Sequence, residues 1–169
     1  MLKKFICAAA LATIASSAMS GPLTMNKDWE GRKVKSSSTS GYDVCFVASF
    51  PKAIAAEPAN ASFDREAMTA ISFRPAEQIA NELSFKTGLP SDLYIRGSVK
   101  VDNNASVRLL VYQGTGYPID HTIEEDLVAQ MKKGREMEVT WVMESGEKHY
   151  DRYSLMGLTK SYAFASACK

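Results

Sequence analysis

The amino-acid sequence predicts a mainly β domain, a β-sandwich of seven to eight short strands with one or two short helices. Two observations lead to this fold class. Most of the chain alternates between apolar and polar residues over short stretches bounded by turn residues, which is the pattern of half-buried strands. Helical spacing occurs in two stretches, both in the C-terminal third. Many short strands with few helices favour a sandwich.

The N-terminus has the features of a secretory signal peptide over residues 1–20. Two lysines precede an apolar run at residues 5–15, and small residues follow it. We expect cleavage between Ser20 and Gly21, with cleavage after Ala18 as the alternative. The apolar run reaches about 16 Å as a helix, against the ~30 Å of a bilayer core, so a membrane anchor is the weaker interpretation. We therefore expect a periplasmic or secreted, cell-envelope protein.

The mature chain is expected to have a flexible segment at residues 21–28 and one domain at residues 29–169. Two of the 20 basic residues leave with the signal peptide, and the remaining 18 accompany 19 acidic residues, so the net charge is near −1. This balance gives no reason to expect binding to nucleic acid or to an anionic membrane surface. No second long apolar segment follows, so we expect no transmembrane span, with peripheral membrane attachment left open.

The first part of the domain is predicted to contain six strands separated by turn residues. The alternating segments are residues 29–35, 42–50, 66–73, 81–87, 94–102 and 106–113. Pro51 ends the second strand, and Asn103 with Asn104 forms a hairpin turn between the last two. The polar residues 36–41 connect the first two strands, and the small residues 52–62 are predicted to form a loop.

The pattern then becomes helical. A helix is predicted with Thr122 as its N-cap, because Thr122 and Glu125 have the spacing of a capping box, and it is predicted to stop at Gly134. Its apolar residues recur at helical spacing, at Ile123, Leu127, Val128 and Met131. The remaining predicted elements are strands at residues 137–142 and 148–153 and an alanine-rich helix at residues 159–167.

Two cysteines are expected to remain once Cys7 leaves with the signal peptide. Cys45 and Cys168 are 168 − 45 = 123 positions apart, and an oxidising compartment favours a disulfide between them. Such a bridge stabilises by about 5 kcal/mol in the chain-entropy treatment and by about 2–4 kcal/mol in practice. Two free buried thiols and a catalytic cysteine are the alternatives. The alternation places Cys45 and Phe46 on opposite faces of the predicted strand. A bridge therefore requires the C-terminal helix to dock on the face that carries Cys45.

Motifs of catalytic chemistry are sparse. Asp120, His121 and Glu124 are the best candidates for a metal site or an enzyme, but acidic residues at a helix N-terminus are also favoured by the helix dipole. The sequence has no nucleophile elbow, zinc-protease helix or phosphate-binding glycine loop. We therefore expect a non-enzymatic protein without a cofactor, and keep the metal site or enzyme around these three residues as the alternative.

Two sets of residues are candidates for recognition. Polar residues flank a predicted turn, where capping the loop is the simpler role: Arg74, Glu77, Asn81 and Glu82. Tyrosines are the second set, at Tyr117, Tyr150 and Tyr153, and Tyr153 is expected in the core. Gly114 to Tyr117 is predicted to be a turn.

Short motifs occur in a fixed order along residues 29–168. They are Trp29, Cys45-Phe-Val-Ala-Ser-Phe-Pro51-Lys, Ile71-Ser-Phe-Arg74-Pro75-Ala-Glu77, Asn81-Glu82-Leu-Ser84, Gly97-Ser98-Val, Leu127-Val-Ala-Gln-Met131-Lys-Lys-Gly134, Met137-Glu-Val, Tyr153-Ser-Leu-Met-Gly157-Leu-Thr159 and Ala167-Cys168. In this order and spacing, the chain resembles the invasion-associated locus B family.

The resemblance implies a periplasmic or envelope-associated protein of Gram-negative, mostly alphaproteobacterial cells, with an immunoglobulin-like β-sandwich fold. The family is named for a role in host-cell invasion and has no established catalytic residues. Its two cysteine positions match Cys45 and Cys168, which supports the bridge. The chain departs from the family pattern in two places. Leu158 replaces the Phe usual in the family, and Tyr117-Pro118 replaces a segment that often carries Trp. If that segment contacts a partner, the resemblance leaves open whether the partner is the same here.

We therefore expect a secreted, non-enzymatic binding or envelope-structural protein that contacts a protein partner or another envelope component. Loops at residues 52–65 and 114–121 are expected to carry the contact, because loops on rigid scaffolds carry recognition. A carrier of an apolar ligand within the envelope is a further alternative.

Overall fold

The computed structural model of the chain describes residues 23–35, 44–59, 65–90 and 95–168. The predicted signal peptide at residues 1–20, its cleavage site between Ser20 and Gly21, and the predicted connection at residues 36–41 lie outside these ranges. Within them the chain forms eleven strands, two α-helices and one 3₁₀ helix.

The strands are, in chain order, β1 (Leu23–Asn26), β2 (Trp29–Val34), β3 (Val44–Ser49), β4 (Ala53–Glu57), β5 (Met68–Arg74), β6 (Ile79–Lys86), β7 (Ile95–Val101), β8 (Val107–Tyr112), β9 (Thr115–Pro118), β10 (Glu136–Met143) and β11 (Lys148–Ser154). The helices are α1 (His121–Lys133) and α2 (Leu158–Ser166), and the 3₁₀ helix (Pro75–Glu77) lies between β5 and β6.

These strands are hydrogen-bonded into one antiparallel sheet in the order β1-β2-β3-β5-β6-β9-β8-β7-β10-β11-β4. The sheet is curled, because groups near its two ends are hydrogen-bonded to each other. The indole N–H of Trp29 in β2 donates to the carbonyl of Ser154 in β11 over 2.9 Å. The N–H of Asp28 donates to the carbonyl of Met156 over 3.2 Å. The curl lets the chain pass from β3, near one end, into β4 at the other.

The hydrophobic core lies on the face of the sheet that carries both helices, which we call the inner face. The opposite face is called the outer face. Every second residue of β7, β10 and β11 is buried on the inner face, as the alternation predicts. Fully buried side chains from distant elements meet there, including Trp29, Phe85, Leu127, Met131, Trp141, Tyr153 and Leu158. This burial is the main source of stability.

The predicted disulfide is present. The sulfur atoms of Cys45 in β3 and Cys168, just after α2, are 2.01 Å apart, and their Cα atoms are 6.0 Å apart. Helix α2 packs against β2 and β3, and Cys45 is fully buried there. Phe46 belongs to a separate small cluster with Ala48 and Ala70. The helix therefore docks on the Cys45 strand as predicted, and neither cysteine is a free or catalytic thiol.

The mainly β class and the C-terminal helix are confirmed, and all eight predicted strands are present, together with three that the sequence did not indicate. β1 lies in the segment expected to be flexible, β4 in the segment expected to be a loop, and β9 in an expected turn. β4 (Ala-Ile-Ala-Ala-Glu) and β9 (Thr-Gly-Tyr-Pro) contain residues of low strand propensity, so their pairing with neighbouring strands decides their conformation.

The predicted immunoglobulin-like sandwich of seven to eight strands consists of two stacked sheets. The described residues instead form one continuous sheet of eleven strands. The strand count was therefore too low, and the immunoglobulin-like arrangement stays a prediction.

Helix α1 begins two residues earlier than predicted. Asp120 is the N-cap, and its Oδ1 accepts a hydrogen bond from the N–H of Ile123 over 2.9 Å. The predicted cap at Thr122 was wrong, because Asp120 is an equally good capping residue and precedes it. Gly134 ends the helix as predicted, and its N–H donates to the carbonyl of Gln130 over 2.8 Å.

Candidate functional site

The polar residues around the turn after β5 form one connected group. The buried guanidinium of Arg74 donates two hydrogen bonds to the carboxylate of Glu82 and a third, of 3.2 Å, to Glu77. The hydrogen bonding of Arg74 to the carboxylate of Glu82 is the main reason that the pKa of Arg74 is raised. The hydroxyl of Tyr162 in α2 donates to Asn81, whose φ of 60° is left-handed. These bonds tie the turn to β6 and to α2.

The carboxylates considered for a metal site are engaged at the start of α1. Asp120 caps the helix, and Oε1 of Glu124 accepts a hydrogen bond from the N–H of Leu83 over 2.7 Å. His121 is exposed, with Nδ1 3.4 Å from Glu124 and Nε2 3.1 Å from Glu125. Burial raises the pKa of Glu124. Within the described ranges, no three His, Cys, Asp or Glu side chains are grouped as metal ligands.

A buried ion pair joins three parts of the chain on the inner face. Nη1 of Arg65 lies 3.1 Å from Oδ2 of Asp151 and also donates to the carbonyl of Thr87. The indole N–H of Trp141 donates to the same carboxylate over 2.8 Å. Burial raises the pKa of Asp151, and the charge and hydrogen bonds of Arg65 oppose this rise. Both ionic side chains are fully shielded from solvent, so the pair acts within the fold rather than on a ligand.

The sequence analysis did not predict the ion pair of Arg65 and Asp151, although the sequence pattern indicates that Asp151 is buried. The alternation of residues 148–153 places Asp151 on the same face as His149 and Tyr153. Both neighbours are buried, and Tyr153 lies in the core as predicted. An acid between two buried residues of one strand face requires a buried partner, but the sequence does not identify the partner as Arg65.

The outer face carries apolar side chains at β8 and β9. Leu110 is directly opposite Tyr117, and Tyr112 is opposite Thr115, so all four lie on one face. Ile119 follows Tyr117 by two residues. The exposed fractions are 54% for Leu110, 46% for Tyr112 and 60% for Ile119. We call Leu110, Tyr112, Tyr117 and Ile119 the apolar strip. Exposed apolar side chains that are neighbours mark interaction surfaces more often than scattered ones do.

Three exposed cations lie beside the apolar strip. Arg108 in β8 is directly opposite Ser98 in β7, and Arg96 and Lys100 lie two positions to either side of Ser98. Side chains in such diagonal positions are about 7–8 Å apart. None of the three cations forms an ion pair with a residue that the structure describes. We call Arg96, Lys100 and Arg108 the basic patch.

The surrounding charges of the outer face are mostly paired. Lys148 and Arg152 in β11 pair with Glu57 and Glu138 over 3.7 and 2.9 Å. Glu138 is also opposite Lys100 in the register between β10 and β7, which places one carboxylate at the margin of the basic patch. The unpaired positive charge is therefore concentrated around Ser98, next to the apolar strip.

The two segments expected to be contact loops are largely strands. The described part of residues 52–65 contains β4, which lies at one end of the sheet and pairs with β11. Residues 114–121 contain β9, which lies between β6 and β8. The second segment still reaches the surface, because Tyr117 and Ile119 belong to the apolar strip. The expected loop conformation was therefore wrong where β4 and β9 form, and contact of these segments with a partner stays a prediction.

None of the helices in the described chain has the length and apolar character needed to cross a membrane.

Comparison of the chain with protein-family models, curated proteins and solved structures finds no match.

Proposed function

We propose that this chain is a secreted, non-enzymatic binding or envelope-structural protein, similar to invasion-associated locus B proteins, that acts in the periplasm or at the cell envelope. The observation that carries this proposal is the outer face, where the apolar strip and the basic patch adjoin on a sheet held by a disulfide. Tyrosine and arginine are the residue types that most often dominate binding interfaces.

Export is supported by the signal-like N-terminus and by the disulfide between Cys45 and Cys168. Disulfides persist in oxidising compartments and are rare in the cytosol. Binding rather than catalysis is supported by the structural roles of the candidate carboxylates. Asp120 caps α1, Glu124 accepts a hydrogen bond from the N–H of Leu83, and Glu82 accepts hydrogen bonds from Arg74. The immunoglobulin-like arrangement and the role in host interaction belong to this proposal as well.

A sedimentation experiment with bacterial envelope tests the proposal. Purified mature protein is mixed with isolated envelope, and the fraction that sediments is measured. The variant Leu110→Ser/Ile119→Ser removes the two aliphatic side chains of the apolar strip. We expect it to bind at least about tenfold more weakly, because the few central side chains that dominate an interface each cost more than about 1 kcal/mol when truncated.

The matched control is Leu23→Ser/Met25→Ser in β1. Leu23 and Met25 are 50% and 60% exposed, which matches the exposure of Leu110 and Ile119, and β1 is at the far end of the strand order. The control is expected to sediment like the wild type. Equal loss in both variants, or no binding of the wild type, would contradict the proposal.

A further inference from the structure

The basic patch brings three exposed cations together without an ion-pair partner among the described residues. Arg96, Lys100 and Arg108 project from two adjacent strands of the outer face, and all three are exposed. Like charges in diagonal positions repel one another, so this arrangement costs stability in the free protein. Glu138, at its margin, is bonded to Arg152. An anion bound at Ser98 would lie among three cations and lower this repulsion.

The apolar strip continues directly from the basic patch. Extending the β7–β8 register by one residue places Leu110 opposite Arg96, and Leu110 is in turn opposite Tyr117 in β9. Cations and apolar side chains therefore project in the same direction from three adjacent strands. Side chains stand roughly perpendicular to a sheet, so one extended surface contacts all of them together.

We infer that this combined face docks on an anionic phospholipid bilayer. The inference rests on the proposed envelope function and names its partner. Leu110 and Ile119 enter the boundary between headgroups and acyl chains, Tyr112 and Tyr117 lie at headgroup level, and the basic patch binds lipid phosphates. Aliphatic residues beside tyrosine and cations are the combination used by proteins that lie on a membrane. A continuous lipid surface offers acyl chains to the apolar strip and phosphates to the basic patch, whereas an acidic peptide complements the basic patch alone.

The net charge of the mature chain, near −1, argued against an anionic membrane surface. The structure distributes the charges unevenly, because the three cations of the basic patch lie together while exposed acids such as Glu125 and Asp126 lie on α1, which packs against the other face of the sheet. An anionic surface attracts charges within about one Debye length, roughly 8–10 Å at physiological salt. The local charge of the outer face therefore decides the interaction, and not the sum over the chain.

Vesicle sedimentation tests the inference without any protein partner. The probes are vesicles of phosphatidylcholine alone and vesicles with about one third phosphatidylglycerol. We expect the mature protein to bind the anionic vesicles only, and to release them at about 1 M salt, where charges are screened beyond about 3 Å. Arg96→Gln/Arg108→Gln is expected to bind about 25-fold more weakly, since each cation near an anionic surface contributes about fivefold.

The control variant is Lys133→Gln/Lys160→Gln, which removes two exposed cations from α1 and α2. It is expected to bind like the wild type. Binding that is lost equally in both variants would overturn the assignment to the outer face. Absence of vesicle binding, with envelope binding retained and sensitive to Leu110→Ser/Ile119→Ser, would overturn the lipid as partner and leave the proposed function intact. Displacement of the vesicles by an equal charge of polyglutamate peptide would show an acidic protein to be the better occupant.

Discussion

Removing the disulfide tests how α2 is held on the sheet. In Cys168→Ala the crosslink is lost, while Cys45 keeps its volume in the core, so no cavity forms around β3. The bridge closes a loop of 123 positions, for which the chain-entropy relation gives about 5 kcal/mol. Native bridges deliver about 2–4 kcal/mol in practice. We expect a loss of this size in the free energy of unfolding.

Thermal unfolding followed by circular dichroism measures the effect. For a domain of this length, 1 kcal/mol shifts the Tm by about 2–4 °C, so a loss of about 3 kcal/mol lowers the Tm by about 6–12 °C. The wild type is measured with and without reductant. The reduced wild type is expected to melt with Cys168→Ala, because both lack the crosslink and keep every other contact.

Two results would contradict a disulfide that stabilises the fold by this amount. The first is a Tm of Cys168→Ala equal to that of the oxidised wild type. The second is a non-reduced wild-type mass without the loss of about 2 Da that one bridge causes, or alkylation of both thiols before reduction.

Three further predictions concern buried and half-buried groups. Arg65→Met leaves the carboxylate of Asp151 buried without its cation and is expected to cost about 3–5 kcal/mol in urea unfolding. Part of this loss is expected to be recovered in Arg65→Met/Asp151→Leu, which removes the buried charge but also the acceptor of the Trp141 indole N–H. No recovery would contradict the pairing. Burial raises the pKa of Glu124 above its ordinary 4.5, so its ionisation lowers stability as pH rises through that value. We therefore expect the stability of the wild type relative to Glu124→Gln to fall as the pH rises above about 4.5, and a stability that rises with pH would contradict this prediction. Gly97→Ala places a Cβ 2.6 Å from Cζ3 of Trp141, with an expected loss of about 1–3 kcal/mol in chemical denaturation; an unchanged midpoint would show that the indole moves freely.

Alternation of apolar and polar residues was sufficient to predict the strands that bury one full face. β7, β10 and β11 follow it closely, because their inner residues meet the core and their outer residues meet solvent. β4 and β9 could not be found in this way. Their alanine, glycine and proline residues carry little local preference, and hydrogen bonds to β11, β6 and β8 determine their conformation.

The candidate site could not be predicted from the sequence, because its residues become neighbours only through the pairing of strands. Leu110 and Tyr117 are neighbours only because β8 pairs with β9 in a particular register. Arg96 and Arg108 come together only through the pairing of β7 with β8. The disulfide was different, since the two cysteines expected to remain after loss of Cys7 with the predicted signal peptide leave a single possible bridge.

The central claim is that the outer face of the sheet around β8 and β9 is the binding surface of this protein. Hydrogen–deuterium exchange of the mature protein, free and bound to isolated envelope, tests it most directly. We predict slower exchange on binding in peptides that cover residues 107–119, with unchanged exchange in peptides of β1 and α2. Protection confined to β1, β4 or α2, or no protection in residues 107–119 when the protein is bound, would contradict it.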